Sequence, residues 1–132
     1  MRPLTSLAAA EGLVGACYDH LDFQGPRVAR IDPVVLFDWG AGGPADSIAA
    51  DTFSSRWTGW VLTTPGLDGE YIFFTTTNDG ECLFVDGVQI IDQWMDMTAT
   101  EHAGAITLLC GRACRIRMEH YEGVGTGVAE LR

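Results

Sequence analysis

Short runs in which apolar and polar residues alternate, separated by turn residues, make up most of this chain. In the run 114–121, period two places Cys114, Ile116, Met118 and His120 on one face, opposite a face of charged residues and Tyr121. Such a run predicts a half-buried antiparallel strand. Similar runs predict strands at 13–19, 34–38, 53–62, 71–77, 81–85, 88–92, 104–109 and 128–132. About nine short strands indicate an all-β fold, an antiparallel sandwich or barrel.

The centre of the chain, from 71 to 92, reads as a three-stranded meander with two corners. Asp86-Gly87 separates two apolar runs and predicts a two-residue type I′ hairpin, which needs positive φ at both positions. Asn78-Asp79-Gly80 forms the other corner. It is either a second tight turn or a pair of side-chain oxygens held at the rim of a sheet for a metal or ligand.

Composition limits the classes of partner. We expect one domain at 12–132 after a tail at 1–11, because 132 residues can bury a sizeable core. Eight arginines, no lysine and a net charge of −10 disfavour nucleic acid and anionic lipid. No apolar run approaches the ~20 residues of a membrane span, so we expect no membrane insertion. The acidic surface is either a solubilising one or a source of divalent-cation sites.

Other chemistry has little support in the sequence. The segment 1–11 is too weakly apolar for a secretory signal, so the chain is exported by another route, stays inside the cell or is an excised module. Cys110 and Cys114 could form a disulfide across a tight loop or pack as two thiols, and the two alternatives are balanced. No nucleophile elbow, phosphate loop or dinucleotide motif is present, and we expect no catalysis.

The order and spacing of many residues resemble those of the protective-antigen fourteen-kilodalton domain, from about Gly12 to Leu131. The matching positions are Gly12-Leu13, Gly15, Tyr18, Trp39-Gly40, Phe53, Arg56-Trp57-Thr58-Gly59, Gly69, Tyr71, Phe73, Thr75, Asn78-Asp79-Gly80, Leu83, Val85-Asp86-Gly87, Ile91-Asp92, Trp94, Leu108, Gly111, Ile116-Arg117 and Tyr121. That family is a β-sandwich of yeast flocculation adhesins, bacterial β-glucosidase inserts and anthrax protective antigen. The resemblance implies an extracellular or cell-surface carbohydrate-binding module.

The resemblance also implies a calcium site. In the adhesin members, two adjacent acidic residues joined by a cis peptide, together with a loop before the last strand, hold Ca²⁺ for sugar hydroxyls to coordinate. The pair falls on Asn78 and Asp79, and the loop supplies the Glu122 side chain with main-chain oxygens of Val124 and Thr126. Asn78 departs from the acidic pattern, although oxygen-only ligands still suit calcium.

These observations lead to one expected function and one alternative. The expected function is a calcium-dependent, lectin-like module that binds glycan at Asn78, Asp79 and Glu122, with exposed Trp60 stacking on the sugar. We expect Trp57 and Trp94 to be buried. The alternative is a structural self-assembling protein that uses the same sandwich as a filament, appendage or particle-decorating subunit, with other copies of the chain as partners in a homo-oligomer. A multivalent arrangement would strengthen weak glycan binding.

Overall fold

The computed structural model describes residues 13–24, 27–32, 35–40, 43–44, 48, 52–62, 69–108, 113–123 and 127–131. Ten strands lie in these ranges: β1 Leu13–Tyr18, β2 Arg27–Asp32, β3 Leu36–Gly40, β4 Phe53–Leu62, β5 Gly69–Asn78, β6 Glu81–Val85, β7 Val88–Gln93, β8 Thr100–Leu108, β9 Ala113–Glu122 and β10 Gly127–Leu131. The all-β prediction is confirmed. The described residues contain no helix that could cross a membrane.

Two antiparallel sheets form the sandwich. The six-stranded sheet has the order β2-β1-β4-β9-β6-β7, and the four-stranded sheet has the order β3-β10-β5-β8. The pairing of β4 with β9 runs from Phe53↔Glu122 to Leu62↔Ala113 and forms the middle of the larger sheet. Alternate residues of these strands therefore point into the space between the sheets.

Aromatic and aliphatic side chains fill most of that space. Trp57 and Phe73 are at most 2% exposed and share one buried cluster with Leu83 and Met118, whereas Phe53, which is fully buried, belongs to a second cluster with Cys17 and Ile48. The burial of Trp57 was expected from the sequence. Its Nε1–H donates to Asp32 Oδ2 over 2.9 Å, which gives the one polar atom of the ring a buried partner.

The predicted meander is wrong, although its second corner is confirmed. At the hairpin between β6 and β7, Asp86 and Gly87 have φ values of 52° and 78°, as a type I′ turn requires. Strand β5, however, belongs to the four-stranded sheet, and β6 belongs to the six-stranded one. Residues 78–80 thus carry the chain from one sheet to the other, which a pattern of local alternation does not reveal.

Two strand segments were missed because their polar side chains resemble loop residues. Strand β2 lies outside the predicted strand runs, yet the guanidinium carbon of Arg30 lies 5.0 Å from the centre of the Phe37 ring. An arginine can cover apolar surface in this way and still keep its charge solvated. The first half of β8, Thr100–Ala103, precedes the strand predicted at 104–109, but it pairs with β5 at the edge of the smaller sheet.

Gly80 lies in the crossing between the sheets at a point that has no room for a side chain. A Cβ atom there would overlap the Tyr121 ring and approach the Met95 backbone nitrogen to 2.9 Å. We expect Gly80→Ala to lower the free energy of unfolding by about 1–3 kcal/mol, as overpacking does in a tight site. Urea unfolding followed by tryptophan fluorescence measures it. Gly87→Asn is the control, since Asn tolerates positive φ and that site has open space; equal losses in both variants would contradict the packing argument.

Candidate functional site

The corner at residues 78–80 is a junction at which the chain passes from one sheet to the other and is hydrogen-bonded to the end of β9. The peptide bond between Asn78 and Asp79 is cis. The Asp79 N–H donates to the Tyr121 carbonyl over 2.9 Å, and the Tyr121 N–H donates to the Gly80 carbonyl over 3.0 Å. The corner of the chain after β5 is thereby fixed against the end of β9, as the resemblance led us to expect.

Asp79 joins this junction to two further segments. Its Oδ1 accepts from the Met97 N–H over 3.0 Å, and its Oδ2 accepts from the Gly123 N–H over 2.8 Å. The residue is only 6% exposed. Hydrogen bonds to an ionised carboxylate are stronger than neutral ones, so Asp79 connects the loop after β7 to the loop after β9.

Asn78 faces a buried histidine. The Asn78 carbonyl lies 2.8 Å from His120 Nε2, and because a carbonyl oxygen only accepts, Nε2 carries the proton. His120 is fully buried, and this burial lowers the pKa of its imidazole to about 4, so the ring is neutral near pH 7. The Asn78 side-chain oxygen is also buried, with no hydrogen-bond donor among the described residues.

Glu122 lies next to the junction but is directed into the protein. It is fully buried, pairs with Phe53 across the strands, and its Oε2 lies near Gly127 at the start of β10. The other two predicted ligands, Val124 and Thr126, fall outside the described residues.

The calcium site is therefore incomplete within the described part of the chain. No three His, Cys, Asp or Glu side chains there are grouped to hold a metal, and each Asp79 carboxylate oxygen already accepts a backbone N–H. Calcium at this corner stays a prediction from the resemblance.

A third buried carboxyl lies beside the corner and was missed by the sequence reasoning. Glu81 is fully buried, accepts from the Thr75 hydroxyl over 2.9 Å and lies 3.6 Å from His102 Nδ1. Burial, with a smaller contribution from Asp92, raises the pKa of Glu81 to about 7. The signal was present, because period two in β6 places Glu81 on the face of buried Leu83 and Val85.

The structure separates Trp60 from the corner. Trp60 is 49% exposed, as expected, but it pairs with Arg115, six residues before Tyr121 and hence ~20 Å away along β9. The aromatic residue beside the corner is Trp94, which is 41% exposed rather than buried and packs against Tyr121 in a tilted arrangement, with 4.8 Å between ring centres. The Tyr121 hydroxyl donates to Asp96 over 2.6 Å, and burial together with this bond raises the pKa of Tyr121.

Only one of the two cysteines considered for a disulfide lies within the described residues. Cys110 falls outside the described residues, and Cys114 is a buried residue of β9. Cys17 and Cys82 are buried thiols, and burial raises the pKa of both, to about 12 for Cys82.

Comparison with known proteins gives both a family and specific relatives. The family model described as PA14 domain matches residues 9–132. The chain is 46% identical over 120 residues to anti-sigma-I factor RsgI3 of Acetivibrio thermocellus, covering 91% of this chain and 18% of that protein. A solved anti-sigma factor domain-containing protein is 45% identical, with a TM-score of 0.86 over 92% of this chain and 42% of its own. A PA14 sugar-binding domain from an RTX adhesin is 16% identical, with a TM-score of 0.66 over 94% of this chain and 90% of its own.

These relatives overturn the functional prediction. The expectation of a calcium-dependent lectin or adhesin with a glycan partner is wrong, and so is its alternative of a self-assembling structural protein, because the relatives at 45–46% identity are named as anti-sigma factors. The adhesin likeness, at 16% identity, shows the fold alone. The physical reason is that the matched residues are mostly core and turn positions, which specify the sandwich rather than its ligand.

Replacing the Asp79 charge tests its role as a connector between loops. An Asn side chain has one acceptor oxygen, whereas the backbone N–H groups of Met97 and Gly123 each need an acceptor. We therefore expect Asp79→Asn to lower the free energy of unfolding by about 1.5–3 kcal/mol. Amide hydrogen exchange at Met97 and Gly123 should accelerate in the same variant. Asp86→Asn at the hairpin turn is the matched control, and protection at both amides equal to wild type would contradict the assignment.

Calcium binding is checked on the wild type and on Asp79→Asn. If Asn78 and Asp79 hold the ion, isothermal titration with ~1 mM calcium gives heat of binding for the wild type and none for Asp79→Asn. No heat with the wild type would remove the calcium prediction.

The buried Glu81 predicts a specific pH dependence. Its pKa rises from 4.5 in the unfolded chain to about 7 in the fold, so the native state holds the extra proton and stability falls as pH rises through this window. His120 acts oppositely between about 4 and 6.5. The free energy of unfolding of Glu81→Gln, measured by urea unfolding, should therefore rise relative to that of the wild type by on the order of 2–3 kcal/mol between pH 4.5 and pH 7.5. Exposed Glu70→Gln is the control, and parallel curves for Glu81→Gln and wild type would contradict the prediction.

Proposed function

We propose that this chain, which belongs to the PA14 domain family, is a non-catalytic regulatory module of a protein of the anti-sigma-factor type and works outside the cell. The observation that carries the proposal is the 46% identity to RsgI3 across 91% of the chain. Identity at that level is far above the 16% shared with the RTX adhesin domain, a likeness that shows the fold alone.

The module is one part of such a protein rather than all of it. The chain spans 18% of RsgI3 and 42% of the solved anti-sigma factor domain-containing protein. We therefore assign it a modulating role, in which its state alters how the parent protein controls a sigma factor. The partner class is protein.

The enclosure of the titratable groups supports a role without catalysis. Glu81, whose pKa is raised to about 7, and His120, whose pKa is lowered to about 4, are both fully buried. A general acid or base must come within hydrogen-bond distance of a substrate, and neither side chain can do so in this fold.

A position outside the cell is supported by the sequence resemblance. The same arrangement of core and turn residues characterises surface adhesins and a secreted toxin component. The buried polar groups and the two loops held by Asp79 suit a domain that must stay folded outside the cell, where no chaperones refold it.

A domain exchange in the relative tests the proposal. In A. thermocellus, the matching 120-residue segment of RsgI3 is replaced by this chain, and a reporter for the sigma factor that RsgI3 controls is measured. We expect reporter output within about twofold of the parental strain, and a change of about fivefold or more when the segment is deleted.

The RTX adhesin sandwich is the matched control, because it supplies the same fold at 16% identity. If this sandwich restores regulation as well as the present chain does, or if the present chain behaves like the deletion, the proposal fails.

A further inference from the structure

The two outer faces of the sandwich carry opposite charge. Period two and the exposure pattern place Arg56, Arg115 and Arg117 on the outer face of the six-stranded sheet. Glu70, Glu101 and Glu130 occupy the outer face of the four-stranded sheet. In a chain with a net charge of −10, all the arginines that the structure describes lie on strands of the six-stranded sheet.

Three arginines on the outer face, Arg56, Arg115 and Arg117, each lie against an aromatic ring. The guanidinium carbon of Arg117 is 4.3 Å from the centre of the Phe84 ring, and that of Arg115 is 5.4 Å from the Trp60 ring. Arg56 is 4.2 Å from Phe23. Stacking on a ring fixes the planar guanidinium while its N–H edge remains available to a ligand, which reduces the entropy lost on binding.

Carboxylates compete unevenly for this face. Glu119 accepts a hydrogen bond from Arg56 Nε over 2.7 Å but lies 3.9 Å from Arg117 Nε. Asp86 lies in the hairpin turn between β6 and β7, and its backbone N–H donates to the Arg115 carbonyl. Arg117 is 46% exposed along its side chain. The end of the face around Arg115 and Arg117 therefore retains positive charge at the surface.

A groove and an apolar row adjoin these two arginines. The groove has a volume of about 300 Å³ and is lined by Phe84, Gly87, Arg115, Ile116 and Arg117. Strand registers place Ile31, Val14, Thr58, Arg117 and Phe84 in one row across the sheet. Ile31 is 58% exposed and Val14 is 48% exposed. Arginine and aromatic residues around an apolar strip are the composition of protein-binding surfaces.

We propose that this face, defined by Trp60, Phe84, Arg115 and Arg117, binds an acidic segment of a partner protein. Charge complementarity selects the occupant, because carboxylate side chains match stacked guanidinium groups bidentately. A groove of about 300 Å³ admits the side chains of an extended segment more readily than the flat sheet of a second copy. The inference does not depend on the anti-sigma-factor assignment.

The test uses the full chain and a dye-labelled peptide of about ten residues alternating glutamate and leucine, followed by fluorescence anisotropy. We expect binding that weakens about tenfold in Arg115→Gln/Arg117→Gln and weakens further between about 50 and 300 mM salt. Ala103→Glu/Thr107→Glu, on the exposed positions of β8, reaches the same net charge on the opposite face and should bind within about twofold of wild type. Thermal melting confirms that both variants fold.

Several outcomes would overturn the proposal. These are equal binding of a glutamine-for-glutamate peptide, equal loss in the two double variants, and no peptide binding at low salt. Binding of polygalacturonate in the absence of peptide binding would assign the face to an anionic polysaccharide instead. Sedimentation velocity showing a dimer that Arg115→Gln/Arg117→Gln dissolves would assign it to a second copy.

Discussion

The carboxylate of Asp79 is the interaction on which the rest of this sandwich depends. It holds two backbone amides, at Met97 and Gly123, that belong to loops after different strands, and its own N–H is bonded to Tyr121. These contacts surround the point where the chain leaves one sheet and enters the other. A carboxylate shared by two loops fixes their separation, so this one residue holds the loop after β7 and the loop after β9 together at the crossing between the sheets.

Burial of polar groups next to Asp79 is a consequence of the same crossing. Because β6 begins immediately after the corner, its first residue, Glu81, enters the core beside Thr75 and opposite His120. Burial disfavours the charged form of each group, which is why the pKa of the acid rises and the pKa of the imidazole falls. Burial at this end of the core therefore shifts both Glu81 and His120 toward their neutral forms.

The sequence predicted the elements whose determinants are local. The hairpin at Asp86-Gly87 depends on two φ values, and β9 depends on a period of two, so both could be recognised in the chain alone. The crossing at Asn78 could not be recognised, because it depends on contacts with the end of β9. One of these, between Asn78 and His120, joins residues 42 positions apart in the chain. The convergence of Asp79 with the loop after β9 came from the family resemblance, whereas the inward direction of Glu122 follows from strand pairing with Phe53.

The function was mispredicted for a related physical reason. A resemblance carried by glycines, turn residues and core aromatics reports the constraints of the sandwich, and these are shared by members with unrelated partners. What distinguishes one member from another is the chemistry of exposed positions, such as Trp60, Arg115 and Arg117, which contribute little to the fold. Because the same rigid core supports an arginine-rich face on one sheet and a glutamate-bearing face on the other, partner choice in this protein can change without any change in the corner that holds the sheets together.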